Sequence, residues 1–188
     1  MDDSRSSIER YLDHLDGLFG KGECRKVTEE TERPHVWVVG YQDVPDPGSL
    51  AGFTYGLSSI EHRDWKLGRP ELLISVNSSN QDWALAAGFL AKKYRGLCPF
   101  SIGNVLRFGS RITPESEMSA FFVFAPSLLT PEEAAIVLPD RRINIVQLYP
   151  IYEDEIELIQ HEGVGDFFAR DDLDLSDVRR PNLGERRH

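Results

Sequence analysis

A chain of 188 residues, 40% hydrophobic and 28% charged, can bury the core of one domain without disulfide or metal staples. Its 31 Asp and Glu outnumber 21 Lys and Arg, a formal net charge of −10; nucleic acid would be repelled overall and a basic protein attracted. No apolar run approaches the ~20 residues of a membrane span, and the acidic start Met1-Asp2-Asp3-Ser4 lacks the positive region of a secretory signal, so the expected location is the cytoplasm.

The first predicted element is a helix. Ile8, Tyr11, Leu12, Leu15, Leu18 and Phe19 recur at spacings of three and four and share one face. Ser6 and Glu9 stand at capping-box spacing ahead of it, and Gly17, Gly20 and Gly22 end it. Glu23 to Pro34 is polar and reads as a loop. His35 to Tyr41 is a strand rich in β-branched and aromatic residues, broken by the turn residues Asp43 to Ser49. Ala51 to Leu57 and Glu71 to Val76 are further strands, joined by a polar connection.

Trp83, Ala86, Ala87, Leu90 and Tyr94 form the stripe of a second helix, with Ser79 and Asp82 at capping spacing and Gly96 at its close. Lys92, Lys93 and Arg95 suit the negative end of its dipole. Val105–Phe108, Met118–Phe124 and Ile143–Tyr152 read as strands. Thr130 would cap a helical first turn at Pro131-Glu132-Glu133-Ala134, and Glu153–His161 a short helix stopped by Gly163. Beyond Arg170 the chain is low in hydrophobics, and residues 171–188 are expected to be a loosely ordered tail. With no internal repeat or linker, 1–188 reads as a single domain, its core spanning about 6–170: an α/β (α+β) fold, a mixed sheet with helices packed on it.

Familiar chemistry is missing. The chain has neither GxxxxGK[ST] nor GxGxxG after a strand. Gly56-Leu57-Ser58-Ser59-Ile60 begins like a nucleophile elbow but lacks the second glycine. Cys24 and Cys98 have no CxxC spacing and read as reduced thiols. None of His14, His35, His62, His161 and His188 has zinc-ligand spacing; His14 reads as solvated. The carboxylates Glu153-Asp154-Glu155 and Asp171, Asp172, Asp174 and Asp177 lack the glycine and terminal glutamate of a calcium loop. They read as a solvated surface or as an acidic docking patch. No catalytic residue, metal or cofactor is expected. Tyr55, Tyr149 and Tyr152 sit at or beside strand ends, where an apolar ring with a polar tip suits an interface; core packing with a satisfied hydroxyl is the plain alternative.

The string Phe53-Thr54-Tyr55-Gly56-Leu57-Ser58 resembles a segment of suppressor-of-fused domains. Glu71-Leu72-Leu73-Ile74 and the Trp83 helix follow in order. Leu148-Tyr149-Pro150-Ile151-Tyr152-Glu153-Asp154-Glu155 resembles that family's late strand, and Gly163 and Arg179-Arg180 fit its ending. The resemblance covers about residues 34–181 and implies a mixed α/β sheet. Animal members are adaptors that hold a transcription factor; short bacterial members look like immunity proteins that neutralise toxins, many of them nucleases. The family is not known as an enzyme class, and with no counterpart expected for the long additional C-terminal domain of the animal proteins, the resemblance favours the bacterial type.

The expected function is therefore non-catalytic protein binding, of the immunity or antitoxin kind, with a basic toxin as partner. Tyr55, Tyr149, Tyr152, Glu153, Asp154 and Glu155 are the candidate interface residues. The alternatives are an adaptor that adds an extended peptide to a sheet edge and an enzyme of unrecognised type. Val36, Trp37, Val38, Leu73, Ile74, Trp83, Leu90, Phe122 and Ile145 are expected in the core. Gly56 is expected to be required by a positive φ or a close approach.

Overall fold

The computed structural model describes residues 6–170 and 173–184. The sheet strands are β1 (Glu23–Lys26), β2 (Trp37–Gln42), β3 (Leu50–Tyr55), β4 (Arg69–Val76), β5 (Val105–Arg107), β6 (Ala120–Phe124), β7 (Ala135–Val137) and β8 (Arg142–Ile151). The helices are α1 (Ser7–Phe19), α2 (Asp82–Tyr94), α3 (Glu155–Glu162) and α4 (Val164–Phe168). The strands run in the order β1-β2-β3-β4-β8-β6-β5, with β7 also on β8. Among the described residues only β4 and β8 pair in parallel, from Arg69 opposite Ile143 to Ile74 opposite Leu148. The mixed α/β sheet expected from the sequence is thus the observed architecture.

The period-2 alternation of β8 assigns its side chains to two cores. Leu148 joins Ile74, Phe121 and the α2 residues Trp83, Ala87 and Leu90 on one face. Ile143 and Ile145 join α1 and Phe53 on the other, where Ile151 meets α3, α4 and Phe122 further along. One face therefore carries α2, and the other carries α1 near one end of β8 and α3–α4 near the opposite end.

The local rules explain most boundaries. Ser6 and Glu9 form the reciprocal capping box that starts α1. α2 begins differently from the expectation: Ser79 makes no cap, and the amide of Asp82 donates instead to the Asn80 side chain, 3.0 Å away. The first-turn reading at Thr130 holds for a single turn, with Ala134 N–H bonded to the Thr130 carbonyl at 2.9 Å. The chain then turns into β7, which sequence reading missed. Glu23–Lys26 is likewise an edge strand rather than loop. His14 is half-buried and bonded to the Glu133 carbonyl at 2.8 Å, not solvated.

Of the expected core residues, all but Trp37 are buried. Trp37 lies opposite Lys26 of the edge strand, where α1 covers it incompletely, and Lys26 sits over its ring. The predicted loose tail is also corrected for residues 173–184. Val178 is buried in the α2-side core, Leu183 in the α3–α4 core, and the Ser176 carbonyl accepts from Asn77 N–H at 2.8 Å, just beyond β4. This segment is a strap that wraps from one core to the other. Residues 171–172 and 185–188 of the predicted tail lie outside the described residues.

Candidate protein-binding surface

Two buried glutamates organise the ends of β8. Near its start, Glu71 is fully buried. One of its oxygens accepts from the Gly56 amide at 2.8 Å, the Ser58 amide at 2.9 Å and the Ser58 hydroxyl at 2.7 Å. The other accepts from the Thr54 hydroxyl at 2.7 Å. The Thr54-Tyr55-Gly56-Leu57-Ser58 segment is therefore a turn wrapped around one carboxylate. Gly56 has φ +118, and a Cβ there would stand 2.0 Å from the His35 carbonyl oxygen; both reasons for glycine apply. Arg141 completes the knot, donating to the Ser58 hydroxyl at 3.0 Å and the Tyr55 hydroxyl at 2.8 Å. Burial holds the Glu71 carboxyl above the ordinary glutamate range, although its hydrogen bonds pull the other way. Ser58, the serine of the incomplete elbow, is buried and committed to Glu71.

At the far end, Glu155 is also fully buried and forms a two-pronged ion pair with Arg180, one contact being 2.7 Å. It also accepts from the amides of Tyr152 at 3.0 Å and Leu183 at 3.1 Å. The Tyr152 hydroxyl donates to the Arg180 carbonyl at 2.6 Å, and the Arg180 guanidinium lies over its ring. The strap is thus clasped to the start of α3.

The candidate interface residues are not brought together. Tyr55 meets Arg141 just before β8, whereas Tyr149 lies near its other end, roughly 25 Å along a strand rising ~3.3 Å per residue, and Tyr152 lies just past that end. Tyr149 is buried, its hydroxyl bonded to the Ala125 carbonyl at 2.9 Å, and burial raises its pKa. Tyr55 and Tyr152 are half-buried. Glu155 is core, because an arginine 25 residues later pairs with it; it offers nothing to a partner's surface. Glu153 and Asp154 are exposed, with Glu153 paired to Arg107 and Asp154 accepting from Asn182 at 3.2 Å.

What does gather there is charge. Residues 153–177 hold ten Asp and Glu against one Arg, a net of −9 in a chain of net −10. Glu153, Asp154, Glu157, Asp166 and Asp174 are exposed, so α3, α4 and their flanks form an acidic pole. The sequence reading noted the carboxylates but not that they account for nearly the whole net charge.

Little else points to chemistry. Among the described residues, no group of three or more His, Cys, Asp or Glu is arranged to hold a metal. No helix among them is long and apolar enough to cross a membrane. Burial pushes the thiols of Cys24 and Cys98 upward, away from thiolate reactivity.

Comparison with known proteins adds the family. A suppressor of fused homolog of Neisseria gonorrhoeae superposes with a TM-score of 0.70 at 16% identity, covering 93% of this chain and 94% of that one. Drosophila Suppressor of Fused gives 0.68 at 14% identity, covering 96% of this chain but 51% of the other; the chain spans about half the Drosophila protein's length. A chain of the Sufu–Fu complex gives 0.63 at 15% identity, with 96% and 93% covered. No curated protein matches. These likenesses establish the shared fold, and the family described as Suppressor of fused protein (SUFU) matches residues 32–181: the chain belongs to the suppressor of fused family.

Proposed function

We propose that this chain works in the cytoplasm as a one-domain, non-catalytic binder of another protein, of the immunity type, which takes a basic toxin onto its acidic pole. The observation that carries this reading is the net charge of −9 confined to residues 153–177. Of its exposed carboxylates, Glu157 and Asp166 stand on α3 and α4 and Glu153, Asp154 and Asp174 on their flanks, and the buried Glu155–Arg180 pair anchors the start of α3. A surface with an excess of one sign raises the on-rate of an oppositely charged partner and selects against others. The Sufu–Fu complex is a structural relative crystallised with a protein partner, which agrees with protein binding. Glu153 and Asp154 remain interface candidates, with Tyr152 behind them; Glu157 and Asp166 join them.

A low-salt pull-down with mass spectrometry, followed by titration of the recovered protein, tests this. The expected partner is basic and binds one to one, with affinity falling steeply as salt screens the pole. Glu157→Lys with Asp166→Lys should weaken it by at least tenfold. A partner without excess positive charge, or one indifferent to both salt and this double reversal, would remove the reading. Strand addition is less favoured. The edge strands β1, β5 and β7 have four, three and three residues, and β1 is Glu-Cys-Arg-Lys, a composition that discourages edge pairing.

A further inference from the structure

The rest of the molecule is not uniformly acidic. Residues 60–111 hold eight Lys and Arg against four Asp and Glu, and one of those four is the buried Glu71. From Trp83 to Pro114 there is no carboxylate at all. Residues 60–111 also expose large apolar side chains: Leu67, Leu97 and Ile102 leave 85%, 78% and 60% of their surface in solvent. Exposed apolar groups gathered in one region mark contact sites, whereas scattered ones do not.

Leu67 lines a groove of about 520 Å³ whose walls include Trp65, Pro70, Pro99 and Val146. Leu97 and Ile102 flank Pro99 on the loop that forms one wall. The groove is built, not incidental. The Trp65 indole N–H donates to the Pro99 carbonyl at 2.8 Å, tying the two loops together, and His62 packs on the Trp65 ring at 5.5 Å. Phe100 anchors the second loop with a buried ring.

The rim is cationic. Lys66 lines the groove and has no carboxylate partner among the described residues. Arg142 reaches only the Asn144 side chain on the groove wall, at 3.4 Å. Asp64 is the one carboxylate lining the groove, and His62 and Arg63 stand beside it at 3.7 and 3.8 Å.

We propose that this groove binds an acidic peptide segment of a second partner protein, seating one large apolar side chain against the lining formed by Trp65, Leu67 and Pro99 while its carboxylates face Lys66 and Arg142. The volume falls within the range of ligand-binding clefts, and unpaired cations beside an apolar slot select for this composition over a neutral or basic one. The proposal does not depend on the acidic pole: it concerns a different surface and a partner of opposite charge.

The test is selection from a random dodecapeptide display library on the purified chain at low salt. Fluorescence anisotropy then follows the recovered consensus peptide as a synthetic probe. The expected peptides are net negative with one aromatic or large aliphatic residue. Leu67→Ser and Lys66→Glu should each weaken the probe at least tenfold without moving the unfolding midpoint, since both side chains face solvent. Val137→Ser, an equally exposed apolar position on β7, should leave affinity unchanged. Neutral or basic peptides, no enriched peptide, or affinity indifferent to Leu67→Ser and Lys66→Glu would each overturn it. So would self-association in sedimentation that Leu67→Ser abolishes, because the groove would then hold a second copy.

Discussion

Glu71 and Glu155 are both hidden from solvent, one near each end of β8, and the protein neutralises them by different means. Glu71 is held by hydroxyls and amides, and Arg141 reaches it only through Ser58. Glu155 is gripped directly by Arg180. The difference follows from what each must hold. The Glu71 donors come from residues 54–58, 13 to 17 positions away, so a turn of neutral dipoles suffices. Glu155 must retain a strap 25 to 28 residues distant, and a charged, two-pronged pair supplies both energy and register. A family-like turn sits at one end and the support of the acidic pole at the other.

Breaking the second arrangement should cost most. Glu155→Ala leaves the Arg180 guanidinium buried and unpaired, for a loss of about 3–5 kcal/mol, visible as a drop in the urea midpoint. Exchange protection in residues 176–183 should fall with it. Gly56→Ala should cost about 3 kcal/mol, since a Cβ at φ +118 would collide with the His35 carbonyl; equilibrium unfolding measures it. Glu71→Gln should cost about 2 kcal/mol, because the amide cannot accept all four hydrogen bonds. Ser6→Ala, remote from both carboxylates, should lose only about 1 kcal/mol by removing the α1 cap.

The same comparison has a pH signature. Burial raises the Glu71 pKa in the folded chain, so between the ordinary glutamate value and the raised one the folded state holds more protons than the unfolded state. The stability contribution of this group is therefore fully present below the ordinary value and is lost as pH rises through the raised one. Urea midpoints taken across that window should fall with pH more steeply in the native chain than in Glu71→Gln. Parallel slopes would contradict the assignment.

What the sequence made legible was local. The Ser6–Glu9 box, the α2 stripe around Trp83 and the need for Gly56 each depend on residues within a turn or two. Edge strand β1 left no trace because Glu23 to Lys26 contact little on either face, so no alternation marks them. β7 escaped because its three residues follow directly on a helical turn whose Thr130 cap spoke for a helix. The strap was misread because Val178, Arg180 and Leu183 are only three anchors in a polar stretch. The pairing that fixes them joins residues too far apart to leave a pattern. That also hid the split inside Glu153-Asp154-Glu155, where two carboxylates face outward and the third is core. Half of the interface reading, the excess of carboxylates, was visible as composition; where they gather depended on α3 and α4.

The most direct test of the protein-binding account is a calorimetric titration of the recovered partner into the native chain and into Glu157→Lys with Asp166→Lys, at low and high salt. The account predicts one-to-one binding to the native chain that weakens with salt, and a tenfold or greater loss in the double variant at low salt. Equal affinity for both proteins, with no dependence on salt, would contradict it and take the acidic pole out of the interface.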